Sequence, residues 1–533
     1  MTASAGHRVL VADPLAEDGL VRLRRGASVD VVTRLDEEKL AEIVGGYDAL
    51  VVRSETKVTA GVLEAGRRLR VVGRAGVGVD NIDVDAATRK GILVVNAPRG
   101  NVIAAAEHSV GLLLAVARSI PQADAAVKRG EWQRSRYVGT EVRGKVLGIV
   151  GLGNIGSEVA KRAQGLEMEV IAHDPAVPRE RAEQFNVELV GLDDLFRRAD
   201  FISIHAPLVE GTRNLVDARV LALAKPTARL VNAARGGIVD EAALYSALVE
   251  GRLAAAASDV FAQEPVGEAP LLQLPNFIAT PHIAASTLEA QTSVAADVAE
   301  EVLAVLRGEL PRYAVNAPSL PPEDLAFLRP FAVLAERLAS LHLQLEGGRV
   351  GQLEIEYQGE LAERDVSVVT AAAVRGLLQP FTEDRINPVN ARLVAAGRGL
   401  KLVERRTPRP RGDYPNAIVV RVDGSELAGN VLTGEPRVTR VGPFRVDVVA
   451  EGRFLVSFHE DRPGVVGRIG TILGEADVNI ASMQVGRDAP RGRAMMFLSV
   501  DDPVSEILLG RLRQVVGMTE LRYVELGDGE PGG

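Results

Sequence analysis

Apolar runs rich in β-branched residues recur over about the first 310 residues, separated by Ala-, Leu- and Glu-rich stretches. Runs such as RVLVAD, ALVVRS and GILVVNAP are apolar on both faces and end in turn residues, which is typical of parallel strands. Strands that alternate with helices predict doubly wound α/β layers. Because the runs are too many for one ordinary sheet, we predict two Rossmann-like α/β domains. A long helix, VIAAAEHSVGLLLAVARSI, is expected to cross between them just after VNAPRGN.

The pattern changes after a proline-rich stretch at residues 312–325. Residues 320–450 alternate more loosely and predict an α+β domain, in which GQLEIEYQ and then DVSVV are expected to be strands that precede a helix. The last segment begins at RFLVSFHED and has the order strand, helix, strand, strand, helix, strand. This order predicts a small βαββαβ domain at residues 452–527, with its helices on one face of a sheet.

Composition and charge exclude several classes of protein. The chain has 62 Lys and Arg against 71 Asp and Glu, a net charge of −9, which argues against a general nucleic-acid binder. No apolar run reaches the roughly 20 residues of a membrane helix, and the N-terminus does not resemble a signal peptide. The absence of cysteine excludes disulfides, thiolate catalysis and Cys-ligated zinc. We therefore expect a cytoplasmic protein that binds neither nucleic acid nor membrane, and no metal site.

A glycine-rich turn follows the apolar run KVLGIV. Gly151, Gly153 and Gly156 have the spacing Gly-x-Gly-x-x-Gly and open a helix, which is the context that the dinucleotide-binding fingerprint requires. These glycines permit a tight turn, the approach of a pyrophosphate and the packing of helix on strand. Asp174 ends the next strand, where it can accept hydrogen bonds from ribose hydroxyls. Because a carboxylate there repels a 2′-phosphate, we predict NAD rather than NADP.

Three later strand ends carry residues suited to hydride transfer: Arg235 in NAARGGIVDEAAL, Glu264 in SDVFAQEP and His282 in TPHIAAST. The carboxyl ends of the strands converge on the cofactor crevice of such a sheet. Oxidation of an alcohol needs a base for the hydroxyl proton, a carboxylate that orients the base, and a cation that holds the substrate. We assign these roles to His282, Glu264 and Arg235, and place Asp259 at the nicotinamide end.

Each of these side chains also has an ordinary structural interpretation. Arg235 could pair with Asp240 at the surface. Glu264 precedes a proline and could be a solvated loop residue, and His282 taken alone could be a packing residue. Their occurrence together, in this order and downstream of the glycine fingerprint, favours the catalytic interpretation.

The motifs GLGNIG, HAPL, NAARGGIVDEAAL, SDVFAQEP and TPHIAAST together resemble the D-isomer-specific 2-hydroxyacid dehydrogenase family over residues 1 to about 315. The resemblance implies that Arg235, Glu264 and His282 are the catalytic set. It also implies a discontinuous substrate-binding domain, residues 1–97 and 285–315, around an NAD-binding Rossmann domain at residues 98–284. The cofactor-binding residues expected from the fingerprint and the resemblance are Val77, Gly151, Gly153, Asn154, Ile155, Gly156, Asp174, Ala206, Ala233, Ala234, Asp259 and Ala285.

Two arginines at strand ends of the N-terminal part, Arg53 and Arg74, suit a substrate that carries a phosphate as well as a carboxylate. Surface positions for both are the alternative. The stretches around them resemble the phosphoglycerate dehydrogenase branch of the family, which implies 3-phosphoglycerate as substrate. Arg99 stands where a smaller residue is expected. The full set of expected substrate-binding residues is Arg53, Ser54, Arg74, Gly76, Asn101 and, lent by a neighbouring subunit, Arg134.

The stretch HEDRPGVVGRIGTILGEADVNIASM resembles an ACT domain, and residues 320–450 resemble the intervening domain of the long form of these enzymes. The resemblance implies a homo-oligomer with L-serine as effector, held by His459, Asp461 and Asn479. A dimerisation module without a ligand is the alternative. Two other functions stay open. The first is an enzyme of the same family that acts on another substrate, either a reductase of hydroxypyruvate or glyoxylate or a dehydrogenase of another small 2-hydroxy acid. The second is a non-catalytic, NAD-sensing interaction protein.

Overall fold

The computed structural model describes residues 6–318, 320–348, 350–382, 385–409 and 414–527. These residues form four units, each built around one β-sheet. The two N-terminal sheets are parallel, the third is mixed and the fourth is antiparallel. The predicted fold class is therefore confirmed.

The first unit is a parallel sheet with a hydrophobic cluster on each face. Its strands and first helices are β1 (Arg8–Val11), β2 (Ser28–Val31), β3 (Ala49–Val52), β4 (Val71–Arg74), β5 (Leu93–Asn96), α1 (Glu17–Arg24), α2 (Glu37–Val44), α3 (Ala60–Ala65) and α4 (Val84–Arg89). The strand order is β2-β1-β3-β4-β5. All residues of β3 are buried, because a parallel sheet is covered on both faces. Side chains of Asp36, Thr59 and Asp83 accept from backbone amides and start α2, α3 and α4.

The second unit is a larger parallel sheet. Its strands are β6 (Val146–Val150), β7 (Glu169–His173), β8 (Glu188–Leu189), β9 (Phe201–Ile204), β10 (Arg229–Asn232), β11 (Ala255–Ser258) and β12 (Phe277–Ala279). Its helices are α5 (Val102–Arg118), α6 (Ile120–Lys128), α7 (Asn154–Gly165), α8 (Arg179–Gln184), α9 (Leu192–Arg198), α10 (Ala218–Leu221) and α11 (Glu241–Val249). The strand order, β12-β11-β10-β9-β6-β7-β8, reverses direction at β6. Ligands of such sheets bind beyond the carboxyl ends of the strands at this reversal.

The long helix predicted to cross between the two sheets is α5, which packs on α7 and β10. A residue in the left-handed conformation, Ser119, separates it from α6. In the part of the chain that the structure describes, no single helix is long and apolar enough to cross a membrane. The α5–α6 pair, bent by 64°, passes that test of length and composition only when the two helices are taken together.

The chain then returns to the first unit through α12 (Leu288–Leu306). This helix packs on α1, β4 and β5, with Val298 and Val302 fully buried against the first sheet. A Cβ at Gly73 of β4 would lie 2.7 Å from the Val302 side chain, so this glycine lets helix and strand approach closely.

The third unit has a six-stranded mixed sheet. Its elements are α13 (Pro322–Glu346), β13 (Gln352–Gln358), α14 (Ser367–Leu378), α15 (Ala391–Gly397), β14 (Lys401–Thr407), β15 (Ala417–Val422), β16 (Ser425–Leu432), β17 (Glu435–Val441) and β18 (Phe444–Val449). The order is β14-β13-β15-β16-β17-β18. The strand predicted at DVSVV is wrong, because Ser367 begins α14 and β13 pairs with β14 instead. Val369 and Ala373, one helical turn apart, are buried in the core shared with α13.

The fourth unit has the predicted βαββαβ order. Its elements are β19 (Gly452–Glu460), α16 (Val465–Glu475), β20 (Ile480–Arg487), β21 (Arg493–Val500), α17 (Glu506–Arg513) and β22 (Met518–Leu526). The antiparallel order is β20-β21-β19-β22. One hydrophobic cluster runs through the third and fourth units, and the rings of Phe444 and Phe458 lie 6.0 Å apart across their junction. The two units therefore share a core.

Candidate active site

The loops that follow β6, β10, β11 and β12 carry the residues expected to bind the cofactor and to do the chemistry. Gly151 follows β6, Arg235 follows β10, Asp259 follows β11, and His282 lies just beyond β12. Because β6, β9, β10, β11 and β12 are parallel neighbours, their carboxyl ends lie at one edge of the sheet. The structure brings these residues to one crevice.

The glycine turn after β6 leaves open space in front of a helix N-terminus. Gly151 has φ +95°, and a Cβ there would lie 2.7 Å from the Ala206 amide nitrogen. A Cβ at Gly156 would lie 2.1 Å from the Gly151 carbonyl oxygen, which explains the close helix–strand contact. Among the described residues, no atom lies within 4 Å of a Cβ position at Gly153, and no side chain caps the amides that start α7. Free amides facing open space suit a pyrophosphate.

Asp174 closes the other side of this turn. Its carboxylate accepts from the Leu152 and Ala176 amides, both at 2.9 Å, so the residue is anchored at the end of β7. The apolar wall of the crevice includes Ile155 and Ala233, which pack together. The open glycine turn, the uncapped amides and the anchored carboxylate fit NAD.

Glu264 and His282 form a direct pair. His282 Nδ1 lies 2.7 Å from Glu264 Oε2, and the other carboxylate oxygen accepts from the Phe261 amide at 2.9 Å. Because an ionised carboxylate only accepts, the Nδ1 atom carries the hydrogen. In the neutral ring Nε2 is then free to accept a proton. His282 is 47% exposed, so a substrate can reach it.

Asp259 anchors the loop that presents His282. Its side chain has no exposure and accepts from the Thr280 hydroxyl at 2.6 Å and the Ile283 and Ala284 amides at 2.9 and 2.8 Å. Burial raises the pKa of this carboxyl, but hydrogen bonds from His108, Thr280 and the two amides outweigh burial and lower the pKa below its ordinary value. The group is therefore an anion at neutral pH.

Arg235 reaches from the second unit to the first. Its Nε donates to Asp80 Oδ2 at 3.1 Å, and Nη1 donates to the Ala234 carbonyl at 2.8 Å. A Cβ at Gly78 would lie 1.9 Å from Arg235 Nη2. Asp240 is not its partner, because that carboxylate caps α11. The guanidinium therefore lies across the junction of the two units, where a substrate carboxylate can reach it.

A second guanidinium, that of Arg74, lies close to the first. Burial and then the charge of Arg235 lower the pKa of Arg74 to about 10. Its Nε is buried without a hydrogen-bond partner among the described residues. A Cβ at Gly76 would overlap the Arg74 guanidinium, so the glycine makes room for it. The charge of Arg53 also acts on Arg74, and the carboxylates of Asp80 and Asp13 act on it in the opposite direction, so three arginines and two aspartates meet at this end of the crevice.

Of four further expected substrate- and cofactor-binding residues, Asn101 and Val77 are half-buried, whereas Ser54 and Arg134 are exposed. Asn101, at the start of α5, has its side-chain oxygen buried without a partner in the described chain, and the Val77 carbonyl accepts from the Asn96 side-chain amide at 2.6 Å. Ser54 is exposed next to Arg53. Arg134 lies on an exposed 3-10 turn, with its guanidinium 5.8 Å from the Trp132 ring. The contacts of Arg134 within this chain therefore lie outside the crevice.

The predicted effector residues lie in the fourth unit. His459 is buried, and its Nδ1 lies 3.3 Å from the Ser457 hydroxyl; burial lowers the pKa of its imidazole. Asp461, whose charge acts on His459, accepts from the Arg491 amide at 2.9 Å and from Arg487. Asn479, in contrast, donates to Asp501 at 2.5 Å. The structure brings His459 and Asp461 together and directs Asn479 elsewhere within one chain.

Comparison with known proteins gives matches along almost the whole chain. The NAD binding domain of the D-isomer specific 2-hydroxyacid dehydrogenases matches residues 110–284, the D-3-phosphoglycerate dehydrogenase intervening domain matches residues 327–442, and the ACT domain matches residues 454–517. The D-3-phosphoglycerate dehydrogenase of Synechocystis is 47% identical over 525 residues, which cover 97% of this chain and 95% of the relative. The chain belongs to the D-3-phosphoglycerate dehydrogenase family.

A second curated relative agrees with this family, and a solved structure agrees with the wider group of 2-hydroxyacid dehydrogenases. The D-3-phosphoglycerate dehydrogenase of Methanocaldococcus jannaschii is 45% identical over 524 residues, which cover 97% of this chain and 100% of the relative. The solved D-lactate dehydrogenase of Aquifex aeolicus, complexed with NAD and lactic acid, is 28% identical with a TM-score of 0.53, over 59% of this chain and 100% of that one. The predicted family, NAD-binding domain and ACT domain are confirmed.

Sequence reasoning missed three polar residues that the structure brings to the site of this D-3-phosphoglycerate dehydrogenase family member. They are Asp80, which binds Arg235, and His108 and Thr280, which surround Asp259. His108 was detectable as the middle one of three consecutive polar residues, Glu107, His108 and Ser109, in an otherwise apolar helix. Its partners follow it by more than 100 positions in sequence and were not detectable from local pattern.

Proposed function

We propose that this chain is a D-3-phosphoglycerate dehydrogenase, which oxidises 3-phosphoglycerate to 3-phosphohydroxypyruvate with NAD and so opens L-serine biosynthesis. One observation carries the proposal: two neighbouring guanidinium groups, those of Arg235 and Arg74, lie at the crevice that also holds the His282–Glu264 pair. Two cations match a substrate with two anionic ends. Lactate or glyoxylate, with one carboxylate, needs a single cation.

His282 acts as the base. Its Nε2 accepts the proton of the substrate hydroxyl, and Glu264 stabilises the resulting imidazolium through Nδ1. When bound, NAD supplies the nicotinamide that takes up hydride from the carbon bearing this hydroxyl. Phe261 holds the second oxygen of Glu264 through its backbone amide, so the carboxylate and the ring keep one orientation.

Arg235 anchors the substrate carboxylate, and Arg74 with Arg53 binds the phosphate. Arginine suits both groups because its guanidinium can donate two parallel hydrogen bonds. The buried, unpartnered Nε of Arg74 gains an acceptor when the phosphate binds. Ser54, Gly76 and Asn101 line this end of the crevice and complete the proposed substrate site.

Two observations weigh against the other candidate functions. A non-catalytic NAD sensor does not need the 2.7 Å contact between His282 and Glu264. A hydroxypyruvate or glyoxylate reductase does not need a second cation at the cost of desolvating Arg74.

The proposed direction of the physiological reaction depends on removal of the product, because oxidation of an alcohol by NAD is unfavourable at equilibrium.

We infer the domain limits from the element bounds. A substrate-binding domain at residues 1–97 and 285–315 is supported by α12, which packs back on the first sheet. The other proposed limits are 98–284 for the NAD-binding domain, 320–450 for the intervening domain and 452–527 for the ACT domain. We propose a cytoplasmic homo-oligomer, and apolar side chains around the 3-10 turn that carries Arg134 support the association of subunits. Trp132 is 72% and Val138 is 84% exposed there, and a neighbouring subunit that covers them would place Arg134 near the partner's crevice.

We propose L-serine as the effector of the ACT domain. The anionic Asp461 suits an ammonium group and lies beside His459. Asn479, directed away from them within one chain, would complete the site in an ACT–ACT pair.

One experiment tests the proposed substrate and the proposed effector. NADH formation from 3-phosphoglycerate and NAD is followed by absorbance at alkaline pH, with and without L-serine. Turnover suppressed by serine is expected. Reduction of hydroxypyruvate or glyoxylate without turnover of 3-phosphoglycerate would overturn the substrate assignment.

A further inference from the structure

A histidine outside the catalytic set contacts the anchor of the catalytic loop. His108 lies on α5, and its Nε2 is 3.2 Å from the Thr280 hydroxyl oxygen and 3.3 Å from Asp259 Oδ1. The His108 side chain is 21% exposed. It reaches across the carboxyl edge of the second sheet, to residues that lie far along the chain from α5.

The hydrogen-bond partners define which atoms carry hydrogen. The Thr280 hydroxyl donates to Asp259 Oδ1 at 2.6 Å, so towards His108 its oxygen can only accept. Asp259 is an anion and also only accepts. His108 Nε2 must therefore carry a hydrogen, which it shares between the Thr280 oxygen and the Asp259 carboxylate. The ring completes the shell of donors around a carboxylate that has no exposure.

The conformation of the catalytic loop depends on this carboxylate. Asp259 binds the Ile283 and Ala284 amides through its side chain, and its carbonyl accepts from the His282 amide at 2.8 Å. His282 itself has φ +56°, a left-handed conformation that is unfavourable for a residue other than glycine and persists where neighbouring contacts hold it. Movement of the Asp259 side chain would therefore release the backbone on the C-terminal side of His282.

We propose that His108 is a positioning residue for hydride transfer. Its Nε2–H holds the Asp259 carboxylate, and through Asp259 it holds the loop that presents His282 to the substrate. His108 touches neither substrate nor the proton that His282 accepts. The proposal rests on the proposed function for the reaction, whereas the hydrogen bonds that hold the loop are contacts within the chain.

The test compares two substitutions of His108 with a control on the same helix. His108→Leu keeps the apolar bulk of the ring and removes the donor, whereas His108→Gln keeps an N–H that can reach Asp259. Ser109→Ala is the matched control, because Ser109 is buried and loses only a hydrogen bond to the Ala105 carbonyl within α5. All three are made in the full chain.

Two readouts separate positioning from a general loss of stability. In H108L we expect kcat to fall about tenfold with little change in KM for the hydroxy acid, because a displaced base costs rate rather than binding. Hydrogen–deuterium exchange of residues 280–287 in the ligand-free protein should accelerate in H108L. H108Q should recover most of both properties, and S109A should leave both as in the wild type.

Several results would overturn the proposal. A kcat of H108L equal to that of the wild type would overturn it, even with faster exchange of the loop. Equal losses of kcat in H108L and H108Q would also overturn it. So would an equal acceleration of hydrogen–deuterium exchange in S109A. The rate is measured with whichever substrate the wild type turns over, 3-phosphoglycerate or hydroxypyruvate. A wild type inactive on 3-phosphoglycerate with a loosened loop in H108L would remove the proposed function and leave the positioning role intact.

Discussion

The guanidinium of Arg235, in the second unit, donates to the carboxylate of Asp80, in the first unit, across 3.1 Å. The pair joins the two units at the cation proposed to hold the substrate carboxylate. Asp80 is 66% exposed and Arg235 28% exposed, so solvent reaches the contact and a substrate can also reach it. The carboxylate of Asp80 thus shares a donor with the substrate that Arg235 is proposed to bind.

Substitution of Asp80 by Asn should strengthen substrate binding. Removal of one exposed negative charge beside an anion site is expected to lower KM for the phosphoglycerate substrate by about two- to fivefold, in line with the modest energies of exposed ion pairs. The effect should shrink at high salt because the charges are screened. Initial rates at low and high ionic strength measure it. A higher KM in D80N would mean that Asp80 instead orients Arg235 for the substrate.

Substitution of His282 by Gln should abolish most of the turnover. A side chain that cannot take up the hydroxyl proton is expected to lower kcat by at least about 100-fold. Glu264→Gln, which keeps an acceptor for Nδ1–H but loses the negative charge, should cost less. Steady-state rates give kcat, and NADH fluorescence tests whether the cofactor still binds. A kcat of H282Q within about tenfold of the wild type would exclude His282 as the base.

Arg74 should contribute to binding of the substrate phosphate. Loss of hydrogen bonds to a charged phosphate, worth about 1.5–3 kcal/mol, should raise KM for the phosphoglycerate substrate in R74A by about 10- to 100-fold. R74K should be intermediate, since a lysine cannot donate in a fork. Arg70→Ala is the matched control, because Arg70 is a partly buried arginine beside the same sheet that donates to the Leu306 carbonyl. Equal KM values for R74A and R70A would contradict the phosphate assignment.

His205 should make stability depend on pH. Burial lowers the pKa of its imidazole to about 4 from an ordinary 6.5, so the unfolded chain binds this proton more readily than the folded chain. Its contribution to stability is full above the unfolded pKa and is lost as pH falls towards the folded pKa. Between pH 6.5 and 5 the loss is at most about 2 kcal/mol, because uptake of one proton by the unfolded chain is worth at most about 1.4 kcal/mol per pH unit.

Thermal unfolding of the wild type and of His205→Gln measures this dependence. H205Q loses the contact between the ring and the Ser203 hydroxyl, 2.8 Å long, and should have the lower Tm at neutral pH. The difference in Tm should narrow in acid, since only the wild type has the histidine to protonate on unfolding. A constant difference in Tm would show that His205 does not titrate on unfolding.

Asp461 should control the binding of serine. The Arg491 amide, together with Arg487, holds the pKa of the Asp461 carboxyl below its ordinary value, so the group is an anion that can accept from an ammonium. Asp461→Asn is expected to weaken serine binding at least about tenfold, as measured by calorimetry. Asp488→Asn, which alters another carboxylate of the same unit, is the control. Equal affinities in the two variants would remove Asp461 from the effector site.

Local pattern was sufficient for the parallel strands and for the glycine turn. The spacing of Gly151, Gly153 and Gly156 reflects short-range sterics, because the positive φ and the close approaches involve neighbouring turns and strand ends. The order of Arg235, Glu264 and His282 was informative because parallel strands of one sheet end at the same edge. The prediction failed at DVSVV, where alternation over five residues could not reveal that packing against α13 favours a helix.

The sequence by itself determined the repeating strands and helices and the cofactor turn, since each depends on periodicity or on chain geometry over a few residues. It also indicated the candidate acid–base residues, because they follow predicted parallel strands that end at one edge of a sheet. Only the tertiary structure decided that Arg235 meets Asp80, 155 positions away, and that His108 meets Thr280, 172 positions away. Such contacts depend on how whole units pack. The chain returns to the first sheet through α12, which packs there chiefly through buried apolar side chains. No local pattern encodes which distant polar groups that packing brings within hydrogen-bonding distance.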